Sequence, residues 1–295
     1  MRHIIPISGK DSLATAIIQR QLEPDLPYEY IFNETGTELP ETRAWLEMVE
    51  KALAISIQRV GSDLIEQIHE MGFLPNHKQR FCTRVAKIKP MEEMIIGRKE
   101  EAKIYIGLRA DEPGRSGYSS PNEDIEAIYP MRTVGMGIDG VYKLLYSHGL
   151  MPPTFFWPQL YEAVVAAVGT SWRANLEQWQ FDKLFAGRSR ANCYMCFYQQ
   201  RAEWVWLLMT HPDLFAQAEE LEQSVGSGDR RENTYYLIGQ GFPLGRIRDN
   251  WRKYFNDRVS QTVRIVHATR QGRLFDDSLF VEIDAGRSCG LFCGK

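Results

Sequence analysis

Short apolar runs alternate with longer segments of helical periodicity in the first part of the chain. The short runs are rich in β-branched or aromatic residues, and they predict strands at residues 4–7, 28–32, 55–60 and 102–108. The segments between them predict helices at residues 11–22, 40–53 and 63–71, and a further helix that ends near Gly97. Strands that alternate with helices indicate an α/β fold with a doubly wound parallel sheet, which binds ligands beyond the carboxyl ends of its strands.

The second part of the chain has a helical and aromatic pattern. Helices are predicted at residues 158–185, at 204–222 with an interruption at His211, and at 230–256. The β-branched run at residues 263–266 predicts a strand. We therefore expect two domains, an α/β domain at residues 1–150 and a helical region that carries most of the cysteines at residues 151–295.

The stretch from Ser8 to Ser12 joins the first predicted strand to the first predicted helix. Gly9 lets the backbone pass close to an anion, and Lys10 adds a mobile cation. The unpaired N–H groups and the dipole at a helix start both favour negative charge. This turn therefore predicts a phosphate site, with Asp11 available either to cap the helix or to hold a metal ion.

Composition limits the class of protein. The 295 residues carry a net charge of −3, with 44% hydrophobic and 25% charged residues, as in ordinary soluble globular proteins. No apolar run is long enough to span a membrane and no signal sequence opens the chain, so we expect a cytoplasmic protein. Residues 242–295 carry ten Lys and Arg against six Asp and Glu, which suits either contact with phosphate or a solvated surface.

Three motifs in order resemble the PP-loop ATP pyrophosphatases, and within them the phosphoadenosine phosphosulfate (PAPS) reductase branch. Residues 8–12, Ser-Gly-Lys-Asp-Ser, are similar to the pyrophosphate-binding loop. Residues 32–42 resemble the threonine-glycine and proline-glutamate-threonine segment of that branch, and residues 107–112 resemble its arginine loop. Residues 128–131 open a stretch that resembles helices after its core sheet. The resemblance implies an adenine nucleotide α-hydrolase-like sheet in residues 1–150.

The resemblance also implies roles for individual residues. Nucleotide binding is implied for Ser8, Gly9, Lys10, Asp11, Ser12, Asn33, Thr35, Gly36, Arg109 and Arg115. ATP is the expected nucleotide, and Mg²⁺ would be held by Asp11 together with phosphate oxygens. Lys10 and Asp11 would act catalytically at the leaving pyrophosphate, and the two arginines would clamp phosphate or sulfate.

The chain has five cysteines, which in a reducing compartment are more often metal ligands or reactive thiols than disulfides. Cys193 and Cys196 have a spacing that suits a tetrahedral metal. Cys82 resembles the first member of the cysteine pair in iron–sulfur members of the branch, but Thr83 stands in place of the second. The resemblance implies a 4Fe–4S cluster on Cys82, Cys193 and Cys196 that is one ligand short, and Cys293 or an external ligand would fill the fourth place. Zinc and a redox dithiol are the alternatives.

The tail contains a second sulfur motif. Cys289 with the following Gly-Leu resembles the segment that ends reductases of this family, whose cysteine attacks the sulfur of the sulfonucleotide. Ser288 and Phe292 replace the flanking glutamate and histidine of that segment. Cys289 is therefore expected to be either a catalytic thiol on a tail or a metal ligand beside Cys293.

Three functions are compatible with these motifs. The preferred hypothesis is an enzyme that cleaves ATP to AMP and pyrophosphate, activates an acceptor and takes part in sulfur transfer, with nucleic acid as one acceptor class. The alternatives are a PAPS or adenosine phosphosulfate reductase that releases sulfite through Cys289, and a non-catalytic nucleotide-binding subunit of a DNA-modification or defence complex. The expected partners are an adenine nucleotide and a nucleic-acid acceptor or sulfur-donor protein, with no membrane.

Overall fold

The computed structural model describes residues 1–76, 79–97, 100–118, 120, 122–190, 193–226, 236–239 and 241–270. The strands in these residues are β1 Arg2–Pro6, β2 Tyr28–Glu34, β3 Ile57–Gly61, β4 Ala102–Tyr105 and β5 Ile125–Ile128. They form one parallel sheet in the order β3-β2-β1-β4-β5. The α/β fold class predicted from the pattern is thereby confirmed.

Helices cover both faces of this sheet. They are α1 Lys10–Leu22, α2 Pro40–Leu53, α3 Leu64–Met71, α4 Phe81–Thr83, a π-helical turn Arg84–Ile88, α5 Lys89–Ile96, α6 Pro130–Thr133 and α7 Ile138–Ser147. Ile5 of the central strand packs on one face with Leu13 of α1 and Trp45 of α2. Ile4 packs on the other face with Met91 of α5. Since alternate residues of β1 point to opposite faces, its uninterrupted apolar run follows from burial on both.

The C-terminal region is helical among the described residues. Its elements are α8 Pro158–Val168, a 3₁₀ turn Ser171–Asn175, α9 Gln178–Leu184, α10 Arg201–Thr210, α11 Pro212–Gly226 and α12 Gly245–Arg270. Trp157, Trp172 and Trp204 are fully buried in its core, and the same core includes Leu39 and Ile68 from the sheet side. The domain division near residue 150 stays a prediction. No helix in the described part of the chain has the length and apolar character needed to cross a membrane.

Three element predictions differ from the structure. In the helix predicted at residues 230–256, the described residues before Gly245 are not helical. Residues 263–266 form part of α12 rather than a strand. Thr262, Ile265, Val266 and Thr269 are buried at spacings of three and four, which is the pattern of one helix face. Ile128 ends the edge strand β5, which was not predicted, and the helix after it begins only at Pro130.

Glu222 of α11 is a buried carboxylate that accepts hydrogen bonds from the backbone of the segment before α12. Its Oε2 accepts a hydrogen bond from Leu237 N at 2.9 Å, and its Oε1 accepts one from Leu244 N at 2.6 Å. Burial raises the pKa of Glu222 to about 7, although the two N–H donors oppose that shift and the nearby Glu219 adds to it. Folding therefore makes this carboxyl group a weaker acid.

We expect Glu222 to make the stability of the chain depend on pH. A carboxyl group whose pKa is raised by folding stabilises fully below its unfolded pKa, and this contribution is lost as the pH rises through the folded value. The free energy of unfolding in urea should fall by about 1–3 kcal/mol between about pH 5 and pH 8 from this group, at about 1.4 kcal/mol per pKa unit. Glu222→Gln should flatten this part of the profile, whereas Glu220→Gln, an exposed change on the same helix, should not. Parallel profiles for wild type and Glu222→Gln would contradict the expectation.

Candidate functional site

The parallel strands bring three loops to one edge of the sheet. β1 lies between β2 and β4 and runs parallel to both. The loops at residues 8–12, 35–38 and 107–115 therefore leave the same carboxyl edge. From β1 the chain adds strands β2 and β3 on one side of the sheet and then β4 and β5 on the other. The topological switch point therefore lies between β1 and β4, and open α/β sheets bind ligands at such a point.

The loop after β1 closes on the hydroxyl group of Ser12. Ser12 Oγ accepts hydrogen bonds from Ser8 N at 2.8 Å and Gly9 N at 3.0 Å, and it donates to Gly9 O at 2.9 Å. The N–H groups of Lys10, Asp11 and Ser12 open α1, so they have no acceptor within the helix. A Cβ at Gly9 would meet nothing within 4 Å, so the space in front of this helix start is open to an anion.

Gly107 joins the loop after β4 to the loop after β1. A Cβ at Gly107 would lie 2.8 Å from the carbonyl carbon of Asp11 and 2.8 Å from the N of Ser12. Real Cβ atoms do not come this close to backbone atoms, so glycine is required for the two loops to touch. The requirement arises from close approach of two backbone segments.

Arg109 is the centre of a charge cluster. Its Nη1 lies 3.2 and 3.3 Å from the two carboxylate oxygens of Asp11, and its Nε donates to Asp111 Oδ1 at 2.8 Å. Its Nη2 lies 3.6 Å from Glu112 Oε1. Lys10 Nζ adds a second cation 3.4 Å from Asp11 Oδ2. The predicted phosphate clamp is thus engaged by carboxylates of its own chain, which a bound phosphate would have to replace.

The charges in this cluster fix its ionisation. Burial raises the pKa of the Asp11 carboxyl group, but the positive charges of Lys10 and Arg109 outweigh it, and the net pKa is lowered. Burial lowers the pKa of Arg109, but the carboxylates of Asp11, Glu112 and Asp111 outweigh it, and the net pKa is raised. Both groups are therefore charged at neutral pH.

Residues around Arg109 that the motif did not single out hold the arginine loop in place. Asp111 Oδ2 accepts from Ile138 N at 2.9 Å, which ties the loop to the start of α7. Glu112 Oε1 lies 2.8 Å from Arg115 Nη1, so Arg115 bonds within its own loop. Arg132 Nη2 donates to the carbonyl oxygens of Glu112 and Arg115 at 2.9 and 2.7 Å. The only sequence signal for these roles was the presence of acidic residues directly after Arg109.

A carboxylate holds the threonine loop after β2. Glu38 Oε1 accepts from Thr35 N at 2.9 Å and from Thr35 Oγ1 at 2.6 Å. Thr35 Oγ1 also lies 2.8 Å from Thr37 Oγ1, and both threonines are fully buried. Gly36 between them is exposed and has a φ of +75°, in the left-handed region that favours glycine. Of the three, Gly36 alone presents an accessible surface to a ligand.

Asn33 lies buried at the end of β2, close to the same edge. Its Nδ2 donates to Lys87 O at 2.8 Å, which joins β2 to the π-helical turn. Its Oδ1 is buried and has no hydrogen-bond partner among the described residues. An unpaired buried acceptor is unfavourable, so a ligand N–H group at this position would relieve that cost.

The Cys-x-x-Cys turn lies against the threonine loop. Tyr194 N donates to Thr37 O at 2.9 Å, and Cys193 Sγ lies 3.5 Å from Thr35 Oγ1. Cys196 N donates to Cys193 O at 3.2 Å, which closes the turn. The cysteine pair of the helical region is thus in direct contact with the threonine loop.

Arg188 supports this turn and was not found from the sequence. It is 2% exposed, and its two terminal nitrogens donate to Gln199 Oε1 and to Cys193 O, each at 3.0 Å. Burial lowers the pKa of Arg188, and the charge of Glu203 opposes that shift. A single arginine in a loop has no distinguishing spacing, so the sequence offered no signal for it.

The predicted metal ligands are divided between described residues and the tail. Cys193 and Cys196 are buried, Cys82 is half-buried, and all three lie in or against one hydrophobic core. Within the described ranges, no three His, Cys, Asp or Glu side chains form a group that could hold a metal ion. Cys289 and Cys293 lie outside the described residues. The iron–sulfur cluster, the zinc alternative and the catalytic thiol therefore stay predictions.

Comparison with known proteins supports the motif assignment. Residues 2–127 match the model of the phosphoadenosine phosphosulfate reductase domain. An uncharacterized protein of Methanocaldococcus jannaschii is 33% identical over 104 residues, which are 34% of this chain and only 21% of that relative. An uncharacterized 37.8 kDa protein of Escherichia phage 186 is 23% identical over 298 residues, and the match covers 80% of this chain and 78% of the phage protein.

A solved structure completes the comparison. The phosphate complex of PAPS reductase from Candida auris matches 51% of this chain and 74% of its own, with a TM-score of 0.40 and 13% identity. The domain match at residues 2–127 spans all three loop motifs. Residues 2–127, which are less than half of the chain, are therefore similar to the phosphoadenosine phosphosulfate reductase domain.

Proposed function

We propose that this chain binds ATP at the carboxyl edge of its sheet and cleaves it to AMP and pyrophosphate, activating an acceptor for sulfur transfer. The proposal rests on one observation. The open start of α1, Lys10 and Arg109 all lie around the carboxylate of Asp11. Helix-start N–H groups and two cations at one point favour a ligand with adjacent phosphates. The Asp-Ser form of the loop is typical of ATP-cleaving members.

The proposed reaction is a nucleotidyl transfer that needs no oxidant or reductant. An acceptor oxygen attacks the α-phosphorus, and the bond from that phosphorus to the oxygen bridging the β-phosphate breaks. Pyrophosphate leaves with the bonding electrons, and AMP stays on the acceptor. A sulfur nucleophile then attacks the acceptor carbon that is bonded to this oxygen, and AMP leaves with the oxygen. Lys10 and Arg109 would stabilise the negative charge that develops on the leaving pyrophosphate.

Asp11 suits a magnesium ion that arrives with the nucleotide. Its carboxylate is ionised and 24% exposed beside the helix start. Mg²⁺ prefers one or two carboxylates together with phosphate oxygens, and when bound it would neutralise phosphate charge. Arg109 would then exchange its ion pair with Asp11 for one with phosphate, so that both cations face the nucleotide.

The family match also favours a second candidate, a sulfonucleotide reductase. In that reaction a cysteine thiolate would attack the sulfur of PAPS or adenosine phosphosulfate, and the nucleotide phosphate would leave. Cys289 is the thiol proposed for that step, and a thiol donor would release sulfite from the resulting adduct.

Removing the Lys10 ammonium group should weaken ATP binding without unfolding the chain. We expect Lys10→Ala to raise the ATP dissociation constant by about 10- to 100-fold, because the variant loses one charge-assisted hydrogen bond. Lys51→Ala, at an exposed lysine of α2, is the matched control and should bind as wild type does. Isothermal titration calorimetry measures both, and unchanged affinity in Lys10→Ala would refute the assigned role.

The backbone contact at Gly107 offers an independent test of the site. Gly107→Ala places a methyl group against the backbone of Asp11 and Ser12, so the loops must separate and ATP affinity should fall at least about tenfold. Gly114→Ala lies in the same loop where a Cβ meets nothing within 4 Å, so it should bind ATP normally. Equal affinities in the two alanine variants would show that the contact does not shape the site.

The products formed by the purified chain decide between the two candidate reactions. The ATP hypothesis predicts pyrophosphate release from ATP once an acceptor is present, and no sulfite from PAPS. The reductase hypothesis predicts sulfite from PAPS or adenosine phosphosulfate with a thiol donor, and loss of that activity in Cys289→Ser. Sulfite release without ATP cleavage under every acceptor condition would reject the preferred function.

A further inference from the structure

Arginine side chains lie over aromatic rings where α10 and α12 begin. We call this group the arginine–aromatic surface, and its members are Arg201, Arg246, Arg252, Phe242, Trp251 and Tyr254. Arg201, the first residue of α10, places its guanidinium carbon 4.6 Å from the ring centre of Phe242 and 5.7 Å from that of Tyr254. Such contacts orient the guanidinium plane along the ring.

Two further arginines extend the surface along α12. Arg246 lies 5.6 Å from the ring centre of Phe242, and Arg252 lies 4.7 Å from that of Trp251. The helix departs from helical geometry at Asn250, between these two arginines. The rings are half-buried, so each is anchored in the protein and keeps part of its area in solvent.

The arginines of this surface carry positive charge that described carboxylates do not neutralise. Arg201, Arg246 and Arg252 are exposed, and no described carboxylate lies within ion-pair distance of them. Arg248 on the same helix differs, since its Nη1 lies 2.8 Å from Glu219 Oε1. The chain as a whole carries a net charge of −3, so this positive charge is a local feature.

We propose that the arginine–aromatic surface binds single-stranded nucleic acid, the acceptor class of the proposed ATP-dependent reaction. Cations that alternate with anchored aromatic rings match the two features of a single strand, which are its phosphates and its unstacked bases. A duplex hides the faces of its bases, and an acidic peptide has no bases to stack. The surface therefore favours a single strand over either.

The position of the surface relates it to the nucleotide site. Arg201 follows Cys196 by five residues, so their Cα atoms are at most about 18 Å apart. The cysteine turn itself is hydrogen-bonded to the threonine loop through Tyr194 and Thr37. A strand bound at the surface thus lies within a few nucleotides of the carboxyl edge of the sheet. The proposal rests on the proposed function only for the role of the strand as acceptor.

Fluorescence anisotropy with the full chain and no ATP tests the binding. The probes are one mixed-sequence oligonucleotide as single-stranded DNA, the same sequence as single-stranded RNA, its duplex, and polyglutamate as a competitor without bases. We expect one of the single strands to bind most tightly, and the DNA and RNA arms identify which. Binding of the duplex, or competition by polyglutamate, as strong as that of both single strands would overturn the proposal.

Variants of exposed arginines assign the binding to this surface. Arg246→Gln combined with Arg252→Gln should weaken binding at least about tenfold and reduce the slope of log affinity against log salt by about 1.4, for two lost phosphate contacts. The double lysine variant should recover the slope but not the affinity, because an ammonium group does not stack. Arg264→Gln, an exposed change farther along α12, should alter affinity by less than about twofold. Unchanged binding in the double glutamine variant, or an equal loss in Arg264→Gln, would overturn the assignment.

A nucleotide-site variant separates failure of this proposal from failure of the proposed function. Lys10→Ala should bind the oligonucleotide as wild type does, since Lys10 is not part of the surface. A chain that cleaves ATP but binds no single strand would overturn the surface proposal alone. A chain that binds the strand through the arginines but never cleaves ATP would leave the surface assignment supported and refute only the acceptor role.

Discussion

Contact between the backbone of Gly107 and the start of α1 is the constraint on which the site depends. The loops after β1 and β4 come from strands that are distant in sequence, and they form one wall only because no side chain stands between them. Arg109 follows Gly107 by two residues, which brings its guanidinium group to Asp11. The ion pair at the centre of the site is therefore a consequence of a backbone contact.

The threonine loop has a comparable role between the sheet and the helical region. Thr37 O accepts from Tyr194 N, and Leu39 at the end of the loop packs in the core formed with the helices. The loop is thus held on one side by the sheet and on the other by the cysteine turn. Because packed interiors resist deformation, a displacement of that turn would be transmitted to the carboxyl edge of the sheet.

The sequence predicted the sheet well because burial on both faces leaves a strong local pattern. Ile4, Ile5 and Ile7 of the first predicted strand are all fully buried. The strand prediction at residues 263–266 was wrong because a short β-branched segment suits a strand and a buried helix face equally. The burial of Thr262 and Thr269 on the same face identifies the helix, and it is seen only in the folded chain.

The candidate site was predictable in its location but not in its bonding. Motif order placed the loops at one edge, since parallel strands end together. Motif order could not show that Arg109 pairs with three carboxylates, because these contacts depend on how the loops are arranged in the folded chain. Asp111 and Glu112 therefore compete with any ligand for Arg109 in a way that the sequence does not reveal. The contact of Cys193 with Thr35 joins residues 158 positions apart, and no local pattern records such a pair.

The charge balance of the site has a consequence for how it binds its ligand. The cations Lys10, Arg109 and Arg115 face the carboxylates Asp11, Asp111 and Glu112, so these groups nearly neutralise one another. A triphosphate alone would bring unbalanced negative charge next to Asp11. A divalent cation at Asp11 would remove that repulsion and free Arg109 for phosphate, so each of the two proposed ligands would strengthen binding of the other by the same factor. On this argument the proposed ligands, ATP and Mg²⁺, would enter the site as a single complex.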